Sequence, residues 1–246
     1  MSINLQKKIN LVKTVLEEKQ ISNIQGRIVL ALDISASMKS LFNNGTVQDL
    51  VERLLAIGVN MDSNKEIEVY LFGTKSHEAS AATLSNIDGY TRKEITNKYA
   101  LENSTKYAGV IKRIAGEFLS EPIAKKGFIS RIFGNKENTV ASAPTPTEEP
   151  TIVFFITDGE NFDQSQTTAL IQQLSRHAIF WQFVGIGSHQ FDYLSHLDEM
   201  SGRYIDNANF FPANDIKKIS DEELYSRILG ELPSWINEAR SKGVLV

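Results

Sequence analysis

One carboxylate and two hydroxyls alternate in a D-x-S-x-S pattern at Asp33, Ser35 and Ser37. They directly follow an apolar run, Ile28–Leu32, whose branched residues predict a strand buried on both faces. Open α/β sheets bind ligands at the carboxyl ends of their strands, so we expect these oxygens at the lip of a sheet. Hard oxygen donors suit Mg²⁺, Mn²⁺ or Ca²⁺ better than zinc or copper. Three ligands do not complete a coordination shell, so others must come from elsewhere in the chain.

Two further stretches have a similar character. Residues 151–157 form another apolar run, which ends in Thr157-Asp158-Gly159 and so predicts a second buried strand with a carboxylate at its end. Between the two strands, Asn103–Ala108 is a polar turn that leads into a helical pattern and contains Thr105. The chain thus presents oxygen donors at the ends of two strands and at the start of one helix.

This combination resembles the metal-ion-dependent adhesion site (MIDAS) of von Willebrand factor A (vWA) domains. The resemblance extends from about Gly26 to Phe211. The stretches 47–53, 107–111 and 201–210 are more specifically similar to the copine-related branch, and within it to the bacterial tellurium-resistance (TerF-like) stress proteins. The resemblance implies a doubly wound sheet, one divalent cation, and binding rather than catalysis.

The resemblance assigns the metal to Asp33, Ser35, Ser37, Thr105 and Asp158. We expect the serines to bind it directly, Thr105 directly or through a water, and the two carboxylates through bound waters. With few direct carboxylates the cation stays electron-poor, and one position remains for an Asp or Glu carboxylate of a partner protein. Mg²⁺ fits best because it retains waters in octahedral oxygen geometry, with Mn²⁺ or Ca²⁺ as alternatives.

Two positions depart from the family pattern. Ala36 stands where many relatives have glycine, and Asn103-Ser104 replaces a Gly-Gly that often precedes the threonine. If the backbone at Ala36 needs a positive φ, we expect a cost of about 1 kcal/mol. The ligand types survive both changes.

Strand and helix patterns alternate along the chain, which predicts an α/β fold. We expect a doubly wound, mostly parallel six-stranded sheet with helices on both faces and one antiparallel edge strand. The antiparallel strand is placed at Ser80–Leu84 and the sixth strand at Tyr204–Phe211. A helix start with a side-chain cap is predicted at Thr46, and a short helix at Thr91–Asn97.

Residues 1–246 are predicted to form a single domain. Within it, residues 1–25 contain an N-terminal helix, and residues 219–240 form a C-terminal helix that breaks or restarts near Pro233. Residues 121–150 hold four of the six prolines and are predicted to be a flexible insertion.

Composition narrows the function classes. The net charge of −4 gives no electrostatic reason to expect nucleic acid. The absence of cysteine excludes disulfides and thiolate metal sites and is compatible with the cytoplasm. No apolar window is long enough to predict stable membrane insertion, and no signal peptide is expected.

Three functions remain open. The first is a metal-dependent protein-interaction module in a tellurite or general stress response, as the resemblance implies. The second is a Mg²⁺-dependent phosphohydrolase using Asp33 and Asp158, although no G-x-S-x-G elbow surrounds Ser35. The third is a metal-free interaction scaffold.

Overall fold

The computed structural model describes residues 2–119, 144, 146–159, 161–187 and 190–246. These residues form a six-stranded sheet whose strands are, in chain order, β1 (Arg27–Asp33), β2 (Ile67–Phe72), β3 (Ser76–Ala82), β4 (Thr151–Thr157), β5 (Ile179–Ile186) and β6 (Ala208–Ala213). The spatial order is β3-β2-β1-β4-β5-β6. All neighbouring strands are parallel except β2 and β3. The predicted fold class is therefore confirmed.

Helices cover both faces of the sheet. In the described part of the chain they are α1 (Ile3–Glu18), α2 (Lys39–Asn43), α3 (Thr46–Met61), α4 (Ala108–Phe118), α5 (Gln164–Leu174), α6 (Asp192–Glu199), α7 (Asp221–Ile228) and α8 (Leu232–Ser241). Short 3₁₀ turns occupy Ala36–Met38 and Ile216–Lys218, and a π-helical turn occupies Thr91–Thr96. This last element corresponds to the short helix predicted there.

The side chains of β1 show how one strand serves two cores. Val29 and Ala31 pack into the apolar cluster formed with α4, α5 and α6. Leu30 and Leu32 pack into the opposite cluster, formed with α1, α3, α7 and α8. Successive side chains of a strand point to opposite faces, so a continuous apolar run is what this central position requires.

Two strands begin at other residues than predicted. β3 starts at Ser76 because the chain reverses immediately after β2: the Gly73 N–H donates to the Lys75 carbonyl at 3.0 Å, and Ser76 then pairs with Phe72. β6 starts at Ala208, where pairing with Trp181 begins.

The start of α3 also differs in detail. Its N-cap is Gly45, with φ of 79°, and not Thr46. The Asn44 side chain does the capping, since its Oδ1 accepts from the Thr46 N–H at 3.0 Å and from the Thr46 hydroxyl at 2.6 Å. At the C-terminus the predicted break is present, with Pro233 in the first turn of α8.

Most of the predicted insertion, residues 121–143 and 145, lies outside the described residues. Its end packs against the domain. Thr147 forms a parallel bridge with Leu245, and the Pro150 carbonyl accepts from the Arg27 N–H at 2.8 Å. Across the described ranges, the helices are too short or too polar to cross a bilayer.

Candidate metal site

The predicted ligands lie where the order of the sheet reverses. β1 and β4 are adjacent, and the chain winds outward from them in opposite directions. Asp33 is the last residue of β1, and Asp158 directly follows β4. A crevice at the carboxyl ends of such a strand pair is the usual place for a ligand in doubly wound sheets.

The loop after β1 brings its two serines together. The Ser35 N–H donates to Asp33 Oδ1 at 2.7 Å, which turns the chain back over the carboxylate. The hydroxyls of Ser35 and Ser37 lie 2.9 Å apart. Asp33 and Ser35 are buried, whereas Ser37 is exposed. The hydroxyl pair therefore lies between the buried carboxylate and solvent.

The condition for a backbone cost at Ala36 is not met. Ala36 begins a right-handed 3₁₀ turn, Ala36–Met38, and does not have a positive φ. Asn103 and Ser104 do not have a positive φ either. Neither loop conformation therefore depends on glycine in this chain.

The Asp33 carboxylate is held from the other side by Thr157. The Thr157 hydroxyl donates to Asp33 Oδ2 at 2.7 Å. Because this uses its only proton, it accepts from the Gly159 N–H at 3.2 Å and from the Tyr107 hydroxyl at 3.1 Å. Both Asp33 oxygens thus have a fixed donor.

Asp33 has no ion-pair partner among the described residues. The pKa of Asp33 is raised to about 7, chiefly by burial and further by the nearby charge of Asp158, against the hydrogen bonds from Ser35 and Thr157. Two buried carboxylates that disfavour each other's charge form a site that a cation would stabilise.

Thr105 lies on a loop that contacts both the loop after β1 and the loop after β4. Its carbonyl accepts from the Phe162 N–H, in the loop after β4, at 3.0 Å. Nearby, Glu102 forms a parallel bridge with Ser35. Thr105 is buried. Backbone contacts therefore hold the Thr105 loop against both the loop after β1 and the loop after β4.

Asp163 fixes the start of the helix behind Thr105. Its carboxylate accepts from the N–H groups of Tyr107 and Ala108, at 2.9 and 3.1 Å. Backbone N–H groups at a helix start have no partner within the helix, so a carboxylate there stabilises both the helix and the loop before it. Three residues that position the site, Asp163, Tyr107 and Thr157, were not predicted from the sequence. For Thr157, the Thr-Asp-Gly motif was an available signal.

Gly159 is needed at this site for packing as well as for its backbone. Its φ is 116°, and a Cβ there would lie 2.9 Å from the ring of Phe191. A Cβ on Gly185, in β5, would lie 2.6 Å from the same ring. Phe191 thus packs over both glycines.

The chemistry of the donors fits a hard cation. The described residues contain no group of three or more His, Cys, Asp or Glu side chains placed to hold a metal. A metal here would therefore depend on hydroxyl oxygens as well as the two carboxylates. Such an all-oxygen set suits Mg²⁺, Mn²⁺ or Ca²⁺.

Known proteins resemble this chain at two levels. The vWA-TerF-like family model, described as the vWA found in the TerF C terminus, matches residues 25–132 and 130–245. The uncharacterized protein YcbR of Bacillus subtilis (strain 168) is 36% identical to this chain over 244 residues, which cover 99% of this chain and 90% of YcbR.

Solved structures match more distantly. The ArnB paralog VWA2 of Sulfolobus acidocaldarius has a TM-score of 0.46 at 13% identity, over 85% of this chain. Proximal thread matrix protein 1 from the mussel byssus, solved with a zinc-occupied MIDAS motif, has a TM-score of 0.45 at 16% identity, over 88% of this chain. The chain covers 45% and 48% of their respective lengths.

The family match covers nearly the whole chain, and the sheet order and the two acidic strand ends agree with it. The chain belongs to the vWA-TerF-like family.

Proposed function

We propose that this chain is a metal-dependent protein-binding module. A divalent cation is held by Asp33, Ser35, Ser37, Thr105 and Asp158, and it binds an Asp or Glu carboxylate of a partner protein. The observation that carries the proposal is the buried Asp33 carboxylate, which has no ion-pair partner among the described residues and lies beside Asp158 and two hydroxyls. Buried charges are normally paired or bound to a metal.

Mg²⁺ is the proposed ion. The five proposed ligands offer oxygen donors only, and Mg²⁺ readily keeps waters in the positions that protein groups do not fill. One of those waters is exchangeable for the partner's carboxylate. Mn²⁺ and Ca²⁺ accept the same donors and belong in the test.

Binding is favoured over catalysis by the surroundings of the hydroxyls. A serine nucleophile is commonly activated by a histidine base, but the Ser35 hydroxyl is paired with the Ser37 hydroxyl and not with a histidine. The ring of His77 is paired with Glu102 instead. The alternative, a Mg²⁺-dependent phosphohydrolase using Asp33 and Asp158, is tested by measuring phosphate release with and without Mg²⁺.

The biological setting is proposed from the family. Membership in the TerF-like branch supports a role in a tellurite or general stress response. A cytoplasmic location is proposed with it, since a chain without cysteine needs no oxidising compartment.

The test is a pull-down from native cells with Mg²⁺, repeated with EDTA. Partner binding should be lost in EDTA and in Thr105→Ala. Because Thr105 is buried, thermal unfolding should check that this variant folds, and the exposed Ser37→Ala gives a second variant. Thr14→Ala, on the exposed face of α1, is the matched control. Undiminished binding in EDTA and by both site variants would rule out the proposal.

A further inference from the structure

Three exposed lysines surround the candidate metal site. Lys39 follows Ser37 by two residues, and Lys106 follows Thr105 directly. Lys75 lies in the turn after β2, whose last residue pairs with Asp33. In the part of the chain that the structure describes, none of the three side chains has an ion pair or a hydrogen bond. These three lysines, together with Phe162, are called the rim below.

Backbone contacts connect the rim to the site. The Lys106 N–H donates to the Gly73 carbonyl at 2.9 Å, which places Lys106 next to the turn that carries Lys75. The Lys75 N–H donates to the Glu102 carboxylate at 2.8 Å, and Glu102 pairs with Ser35 through the backbone. The positions of Lys75 and Lys106 are therefore fixed relative to the metal-binding loops.

The neighbouring carboxylates are bound to groups other than the ammonium groups of these lysines. Glu102 accepts from the Lys75 N–H and pairs with the ring of His77 at 2.8 Å. Asp163 accepts the N–H groups at the start of α4. Both carboxylates keep their negative charge, but among the described residues neither is bound to one of the three ammonium groups, which are therefore available to the carboxylates of an acidic partner.

Phe162 adds an apolar contact to the rim. It is 66% exposed, and it is the one aromatic residue among the large apolar side chains that the described residues expose. Its N–H is bound to the Thr105 carbonyl, so the backbone that carries the ring is held beside the site. Exposed aromatic side chains with a fixed backbone are typical anchors of protein interfaces.

We propose that the rim selects the partner of the cation: an acidic protein segment with an apolar side chain. One carboxylate binds the cation, further carboxylates lie against Lys39, Lys75 and Lys106, and the apolar side chain packs on Phe162. The inference depends on the proposed function for the first carboxylate only. A protein segment fits better than an anionic membrane, because one exposed ring buries too little apolar area for stable anchoring.

The test uses a phage-displayed peptide library bound in Mg²⁺ and eluted with EDTA. Selection on the unaltered chain should enrich peptides that combine Asp or Glu with an aromatic or aliphatic residue. The best peptide is then measured by fluorescence anisotropy against three variants. These are a rim triple variant (Lys39→Ala, Lys75→Ala and Lys106→Ala), Phe162→Ser, and a control triple variant (Lys7→Ala, Lys13→Ala and Lys65→Ala) that removes the same charge from exposed lysines elsewhere.

Each rim lysine should contribute about two- to fivefold in affinity, the range of exposed ion pairs. The rim triple variant should also bind with a weaker salt dependence, while the control triple variant binds as the unaltered chain does. Phe162→Ser should weaken binding without changing the salt dependence.

The outcomes separate this inference from the proposed function. Two results would overturn the inference alone. In the first, EDTA elutes peptides that bind the rim triple variant and the control triple variant equally well. In the second, the peptides that EDTA elutes are not enriched in Asp or Glu. A library from which EDTA elutes nothing would overturn the proposed function with it. Binding to phosphatidylserine vesicles that exceeds peptide binding and is lost in the rim triple variant would assign the rim to a membrane and also overturn the inference.

Discussion

At the scale of single residues, the candidate site depends on hydroxyls more than on carboxylates. Ser37 is the most accessible of the proposed ligands, and its hydroxyl contacts the Ser35 hydroxyl at 2.9 Å. It packs into neither apolar core. Removing this hydroxyl should therefore affect metal binding and leave the fold intact.

Ser37→Ala should lower Mg²⁺ affinity by at least about tenfold. Tenfold is the smallest loss in metal affinity that is usual when a residue that only supports a metal ligand is replaced, and a direct ligand should contribute no less. Isothermal calorimetry measures this. Ser40→Ala, an exposed serine in α2, is the matched control and should bind Mg²⁺ normally. Equal affinities for the unaltered chain and Ser37→Ala would remove Ser37 from the site.

Thr157 links three groups that no short stretch of sequence contains. Thr157→Val leaves Asp33 Oδ2 and the Tyr107 hydroxyl without their partner in the core. We expect a loss of about 1–3 kcal/mol in unfolding free energy, the usual cost of an unsatisfied buried group. Urea unfolding measures this change, and Mg²⁺ affinity should fall with it. Thr157→Ser keeps the hydroxyl, so a Ser variant that is as impaired as Val would show that the methyl group matters instead.

At the scale of elements, a charge network around the buried Arg53 joins α1, α3 and α7. Arg53 Nε lies 2.9 Å from Asp49 and 3.0 Å from Asp221. The guanidinium makes its hydrogen bonds to the carbonyls of Ile216 and Ile219. The buried Lys8 adds an ion pair with Asp49 at 3.1 Å. This network connects the N-terminal and C-terminal helices to the helix between them.

Arg53→Ala should destabilise the chain by about 1–3 kcal/mol, because it leaves the carbonyls of Ile216 and Ile219 without their donor and the partly buried Asp221 without its cation. The comparison is Lys98→Ala, which removes an exposed pair with Glu94 and should cost at most about 1 kcal/mol. Urea unfolding of both variants gives the values. Similar losses would mean that the Arg53 network is as solvated as the surface pair.

At the scale of the whole molecule, a cation that binds the native state and not the unfolded state must stabilise the native state. With Mg²⁺ at about 100 times its dissociation constant, the gain in unfolding free energy should be about 2.7 kcal/mol. Thermal unfolding in Mg²⁺ and in EDTA measures the difference. Asp158→Asn should reduce the gain, whereas an equal gain in Asp158→Asn would place the cation elsewhere.

The end of the predicted insertion connects distant parts of the molecule. Thr147 bridges Leu245, and Glu149 pairs with Arg27 at 3.1 Å. These contacts connect the entry to β4 with the C-terminus of the described chain and with the start of β1. Low sequence complexity around these residues gave no indication of them, since such contacts depend on partners about a hundred residues away.

The sequence alone was enough to predict that Asp33 and Asp158 lie at the ends of two strands. It was also enough to predict the fold class. These features depend on apolar periodicity within a few residues, which is readable without knowing the partner. The boundaries of β3 and β6 were not readable in this way. They depend on where a neighbouring strand offers its pairing groups.

Only the tertiary structure decided what surrounds the two carboxylates. The burial of Asp33, its contact with Thr157, and the position of Phe162 beside Thr105 all join residues that are far apart in sequence. Local patterns report the state of one segment, whereas the order of strands in the sheet decides which segment ends meet. The family motif could therefore name the candidate ligands, but the rim and the hydrogen bonds that position Asp33 required the folded chain.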